Sequence, residues 1–408
     1  MDAKAKKSFL SALFIIVLDN YGFALVFILF APLILDASYG MVPAATSTEM
    51  RTILLGLLYA AFPITQFFAG PILGDLADRF GRKRCFYITL AGAIFGYLFS
   101  GAAILASSYT ALLISRFVTG LFSGNLSIGM AVIADVSPTE KLRARNYGIM
   151  TAALGISWTL SLLTGAYLAN PAFSKFFNPA LPMWITAFLS LIGIFVVRTF
   201  FEESHAEEKR MEFDLIKSVH NVITAFHGEN ARRYFILIAL WTLGWGLSIQ
   251  WYNPFTIMEF HLSQTTIAWL LIILGACWMA GGAIINPLLL KRFSTFNIAR
   301  ITLAVASILM LFAALSKSVT YFNIFYLASA LFSPIVFSSS TNLISINAPN
   351  DIQGRVMGLS QSMMSLGRLL APLIGGFIGG IDPRLIYFFG TALLAMGLLT
   401  LIKKPKTA

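Results

Sequence analysis

The chain has 408 residues, 58% of them hydrophobic and only 12% charged, with a mean hydropathy of +0.79. Soluble domains carry roughly 25% charged residues, so the composition excludes a soluble globular protein and indicates a polytopic membrane protein. The net charge of +11 would suit a nucleic-acid binder, but the cations cluster between apolar runs, where they read as topology signals. Cys85 and Cys277 both lie in apolar segments, and His205, His220, His227 and His261 show no ligand spacing. No disulfide framework, metal site or cofactor is therefore expected.

In chain order the apolar runs predict twelve helices, at 8–35, 51–73, 85–106, 109–133, 145–169, 180–201, 233–258, 265–290, 298–316, 320–345, 355–379 and 384–402. Each is about the length that crosses a ~30 Å hydrocarbon core at ~1.5 Å per residue. Lys4, Lys6 and Lys7 before the first run imitate a signal peptide. That run continues to Leu35 and carries Asp19, so it is expected to stay as the first spanning helix. The 202–232 stretch is the one long polar segment, with Glu202, Glu203, Glu207, Glu208, Lys209, Arg210, Glu212, Asp214 and Lys217. It is expected to be a cytoplasmic linker between one six-helix bundle at 1–201 and another at 233–408.

Between the second and third runs stands Gly74-Asp75-Leu76-Ala77-Asp78-Arg79-Phe80-Gly81-Arg82-Lys83-Arg84. A connection this short is expected to be a tight turn. Gly74 would allow close helix approach, Gly81 a left-handed turn residue, and Asp75 a contact with a neighbouring helix N-terminus. With the N-terminus inside, 23 of the 29 Lys and Arg residues fall on cytoplasmic segments, and only Arg51, Lys175, Lys317 and Arg384 fall outside. That bias predicts a multi-pass protein of the inner membrane with both termini cytoplasmic. The halves also repeat: Arg145-Asn146-Tyr147-Gly148 and Arg355-Val356-Met357-Gly358 each open a helix, and Gly165 matches Gly375 at the same offset. The second copy of the charged loop, Asn286 to Phe293, keeps two cations and loses both aspartates. Paired six-helix halves suit a transporter with its site near the midplane between them.

The charged loop, the helix count and the repeat together resemble the major facilitator superfamily, over essentially the whole chain. Ser115-Arg116-Phe117-Val118-Thr119-Gly120 is similar to the helix-4 R-x-x-x-G signature that the family associates with proton coupling. Leu18-Asp19-Asn20-Tyr21-Gly22 resembles the helix-1 stretch of tetracycline-type exporters. The resemblance implies an all-α twelve-helix fold of the drug:proton antiporter branch. The Gly-Pro-x-x-Gly-Gly that such antiporters carry in helix 5 is replaced by Ser161-Leu162-Leu163-Thr164-Gly165-Ala166.

Embedded ionisable groups are costly, so each is a candidate for function. Asp19 and Arg116, roughly 16 Å and 11 Å from opposite faces at ~1.5 Å per residue, are expected near one depth. They either form a buried ion pair joining helices 1 and 4, or Asp19 is a titratable carboxylate controlled by Arg116. Arg368, deep in helix 11, either faces the cavity, pairs across the interface, or bonds carbonyls freed by Pro372. Glu259 and His261 are expected at the external surface. Asp135 is expected to pair with Arg143 or Arg145 and to join the network of Gly74, Asp75, Asp78, Arg79, Gly81 and Arg82. Asn20, Trp158, Gln250, Trp251, Tyr252, Asn253 and Trp278 could line an amphipathic pocket. Ser338 to Asn342 either faces the cavity or permits close packing.

The expected function is proton-coupled secondary transport of a small molecule by alternating access, with drug export by proton antiport ahead of proton-driven uptake of an anionic metabolite or siderophore. A non-transporting membrane sensor is a further alternative. No enzyme motif stands out. The expected partners are a small-molecule substrate, protons and the lipid bilayer, without nucleic acid, and the chain is expected to work as a monomer.

Overall fold

Helices follow the apolar runs in the computed structural model, which describes residues 3–171, 173–204, 229–349, 352–379 and 381–402. They form twelve runs among those residues. The first half comprises α1 Ala3–Leu35, α2 Thr48–Phe80, α3 Arg82–Leu105, α4 in two pieces at Tyr109–Leu121 and Asn125–Asp135, α5 Glu140–Leu168 and α6 Leu181–Phe200. The second half comprises α7 in two pieces at Glu229–Gln250 and Tyr252–Phe260, α8 at Gln264–Leu289, α9 Thr295–Leu315, α10 Val319–Ile346, α11 Gln353–Gly379 and α12 Leu385–Leu399. Nine helices among the described residues are long and apolar enough to cross a membrane. Most of the 202–232 linker lies outside the described residues.

Local chemistry fixes the starts. Ser47, Ser108, Thr139, Ser263 and Ser294 each cap a helix, with the side-chain oxygen accepting an N–H in its first turn. The gap at 122–124 in α4 is covered by protein, with Ser123 and Gly124 buried, and further irregular backbone occurs at Trp251 in α7 and in the π turn Gly281–Ile285 in α8.

The charged motif corrects the expected tight turn. Residues 74–80 are the final turns of α2, and Gly81 alone separates α2 from α3, at φ +87°. The helix extends because nothing before Gly81 breaks it and because its charges meet partners on α3, α4 and α11.

The halves meet at the end that carries this motif, called here the basic end. There α2 crosses α11 and α5 crosses α8. Glycines make both crossings possible: a Cβ on Gly74 would stand 2.2 Å from the Gly354 carbonyl oxygen, and one on Gly358 would stand 2.3 Å from that of Gly70. On the second crossing a Cβ on Gly282 would stand 2.8 Å from the Gly148 oxygen. Small residues spaced by four let helix backbones touch where there is no hydrophobic gain over lipid. At the opposite end α1 and α5 part around a cavity of about 370 Å³ lined by Ile28, Leu33, Tyr39 and Asn170 among others.

Candidate functional site

Midway along the interface, α1 turns Asp19, Asn20 and Phe23 into a narrow cavity. Phe62 and Gln66 of α2, Leu126 of α4, Leu154 of α5 and Arg368 of α11 complete its wall. The space holds little more than about one water molecule. Asp19 Oδ1 accepts from Asn125 Nδ2 at 3.1 Å, and Asn125 Oδ1 accepts from the Thr89 hydroxyl at 2.5 Å. The Arg368 guanidinium lies 4.8 Å over the Phe23 ring, and no hydrogen bond or ion pair joins it to another described residue. Phe23 packs in turn on Phe62 and Trp158 at 5.5 and 6.2 Å, and Phe27 bridges Trp158 to Tyr59. The site is thus a carboxylate from one half and a guanidinium from the other, held in an aromatic wall.

Arg116 is not paired with Asp19. Its guanidinium sits 5.0 Å over Phe62 and 5.7 Å over Phe30, and Nε and Nη1 have no hydrogen-bond partner among the described residues. The break in α4 explains this. Asp19 faces the second piece, beginning at Asn125, while Arg116 lies in the first piece about nine residues, or ~13 Å, earlier.

The other sequence candidates divide. Asn20 lines the cavity and donates to the Leu154 carbonyl at 3.2 Å, and Trp158 belongs to the aromatic wall. Six others lie outside the lining. Gln250 ends the first piece of α7, Trp251 packs against Gly375 and Gly379 of α11, and Asn253 is exposed. Trp278 donates to the Thr151 carbonyl at 3.0 Å, and Asn342 donates to Thr295 Oγ1 at 3.1 Å inside the second half. Tyr252 likewise belongs to the second half's aromatic core, with its hydroxyl on Asn323. The Ser338–Asn342 run is buried packing: the Ser338 and Thr341 hydroxyls return to carbonyls of their own helix.

At the basic end Asp78 takes the place at a helix N-terminus that was expected of Asp75. Asp78 accepts from the backbone N–H of Gly354 at 2.8 Å and of Arg355 at 2.6 Å, so it holds the N-terminus of α11. Asp75 instead takes the Arg355 side chain, at 3.1 and 2.8 Å, and Arg79 at 2.9 Å. Arg82, fully buried, donates to Asp78 at 2.5 Å and Asp135 at 3.2 Å. Asp135 therefore joins the network through Arg82 rather than Arg143 or Arg145. Arg143 donates to Ser137 O and Ser345 Oγ, and Arg145 is exposed. Glu203 was hidden in the polar linker by sequence. Its two oxygens accept from the N–H groups of Arg82 and Lys83 at 3.0 Å each, at the start of α3. At the far end Glu259 is tied to Arg384 at 2.5 Å.

Sequence reasoning also passed over Asn125, Gln66, Phe23 and Phe62. A search for embedded charge misses them. An amide in an apolar run, as at Gln66 and Asn125, was the available signal.

The Major Facilitator Superfamily pattern matches residues 9–372. This chain belongs to the major facilitator superfamily. Among superfamily relatives, Multidrug resistance protein 1 of Bacillus subtilis (strain 168) is 27% identical over 380 residues, covering 88% of this chain and 90% of that protein. Tetracycline resistance protein, class C, of Escherichia coli is 25% identical over 328 residues, 78% of each. The crystal structure of the human organic anion transporter MFSD10 superposes with a TM-score of 0.83 at 17% identity, covering 98% of this chain and 100% of that one. This superfamily fold is that of a multi-pass membrane transporter, and it places Asp19 and Arg368 where the two halves meet.

Proposed function

We propose that this chain exports amphiphilic, drug-like small molecules in exchange for protons. The names of the relatives, multidrug and tetracycline resistance proteins, support export. The observation that carries the reading is Asp19: one carboxylate in an aromatic-walled cavity between the halves, able to hold either a proton or the cationic part of a substrate. The Lys and Arg bias supports a cytoplasmic basic end, with both termini on the cytoplasmic side of the inner membrane. The halves then divide at the 202–232 linker, and one chain contains the whole site, consistent with a monomer. The structure as seen is shut on the cytoplasmic side.

The test uses proteoliposomes with an imposed pH gradient and ethidium or tetracycline as probe. Asp19→Asn is expected to lose proton-driven accumulation while exchange down a substrate gradient survives, because a neutral site still reorients. Wild-type accumulation by Asp19→Asn would overturn the assignment. Proton-driven uptake of an anion is the second reading, and Arg368 favours it: a cavity cation without a protein acceptor among the described residues suits a carboxylate.

A further inference from the structure

The break in α4 is where the shut gate and Asp19 share an element. Residues 122–124 leave the helix, and Gln361 on α11 of the other half bonds two of the backbone groups there. Gln361 Nε2 donates to the Ser123 carbonyl at 2.7 Å, and Gln361 Oε1 accepts from the Ser127 N–H at 3.0 Å. Gln361 is wholly buried, and it stands one turn from Gly358, which touches the Gly70 backbone of α2. Parting α2 from α11 must therefore pull Gln361 off the break. Between Ser123 and Ser127, Asn125 faces the other way and donates to Asp19.

We infer that Gln361 and Asn125 are positioning residues that tie the state of the cytoplasmic gate to the proton held at Asp19. This rests on the assignment of Asp19 as the proton site. With the gate shut, Gln361 fixes the break and the Asn125 N–H stays on the Asp19 carboxylate. An N–H donor bonds an ionised carboxylate about twice as strongly as a neutral acid. Protonation of Asp19 therefore slackens Asn125, and by reciprocity the gate. The sign suits antiport: a proton arriving from outside releases the cytoplasmic side.

The groups around Asp19 do not replace this link. Arg368 faces it from α11, and Tyr97 of α3 lies against Gly22, one turn along α1. From α2, Gln66 lines the same cavity and is a second tie to the break, its Nε2 donating to the Ser123 carbonyl at 3.5 Å and its Oε1 accepting from the Ser365 hydroxyl of α11 at 2.7 Å. It therefore holds the break alongside Gln361. The hydroxyls of Ser157 on α5 and Thr186 on α6 are bonded to the carbonyls of Val17 and Pro182. Neither Arg368 nor Tyr97 is hydrogen-bonded to Asn125 or Gln361 among the described residues.

The test is amide hydrogen exchange at Gly354 and Arg355 in the full-length protein in lipid nanodiscs, since these N–H groups are bonded to Asp78 when the gate is shut. After correction for intrinsic exchange, wild-type protection is expected to fall at least about fivefold between about pH 8 and about pH 5.5. Asp19→Asn should show low protection at both values, which separates Asp19 from titration of Asp78. Gln361→Met and Asn125→Ser should fold but lose the pH dependence. Thr89→Val, nearly isosteric, should do the same by freeing Asn125. If these variants keep the wild-type ratio at whatever absolute protection, the link is overturned while the Asp19 assignment stands. If wild type shows no ratio, or Asp19→Asn retains it, both the link and that assignment fall.

Discussion

Arg82 and Arg116 are both buried in the first half, yet their surroundings are opposite. Arg82 is held between the carboxylates of Asp78 and Asp135. Arg82→Met leaves both without their counter-charge, and breaking a buried pair in this way costs about 3–5 kcal/mol. Arg116 rests on two aromatic faces with N–H groups that lack acceptors among the described residues. Arg116→Met removes buried donors that each cost about 1–3 kcal/mol when unmade. The thermal midpoint in detergent is therefore expected to fall for Arg82→Met and to hold or rise for Arg116→Met. A similar fall in both would make Arg116 a structural residue. Sequence gave the depth of Asp19, Arg116 and Arg368 but not which way each faces. Depth follows from counting residues, whereas facing depends on helix rotation and on the break in α4. That is why the ion pair offered for Asp19 and Arg116 is absent and Arg368 shares the Asp19 cavity instead.

At the level of helices, the apolar runs located the twelve segments because lipid leaves the backbone few alternatives to helix. The extension of α2 through Phe80 was not legible, since hydropathy ends a span where charge begins. Here the charge is buried against α11 and α4, so the helix continues. The placement of Asp78 rather than Asp75 at a helix N-terminus follows from that extension, because three further residues of helix carry Asp78 over the start of α11. Asp78→Ala should shift the protein toward inward-open more than Asp75→Ala does. A partly buried carboxylate at a helix N-terminus contributes up to ~2 kcal/mol. Gly74→Val should shift it further still, because its Cβ would meet backbone of α11 at 2.2 Å and neither helix can yield locally. Cysteine labelling on the cytoplasmic side reads all three. Equal accessibility in Asp75→Ala and Asp78→Ala would remove the distinction between the two carboxylates.

Across the described residues the repeat is asymmetric in charge. Arg355 finds Asp75, but its repeat partner Arg145 is exposed, because the second copy of the motif lost its aspartates. Asn286 stands at that crossing instead, donating to the Ala144 carbonyl. At the basic end the α2–α11 seam is thus latched by charge among the described residues, and Asp19 and Arg368 at the centre come from different halves. That split decides how substrate and proton are linked. Under export by antiport, a lipophilic cation would dock on ionised Asp19 and displace a proton, so its affinity would fall as pH falls, at most about tenfold per pH unit for one proton. Under uptake of an anion, a carboxylate compound would dock on Arg368 and face Asp19. Two anions in one low-dielectric cavity repel, so its affinity rises as Asp19 takes a proton. Export by antiport predicts the first behaviour for ethidium, and uptake predicts the second for an aromatic carboxylate. Ligand titrations followed by tryptophan fluorescence between about pH 5.5 and about pH 8 distinguish them. Asp19→Asn should flatten both dependences, and Arg368→Lys should weaken only the carboxylate, because it keeps the charge but loses the two-pronged geometry. Ethidium binding that strengthens with falling pH would overturn the antiport reading.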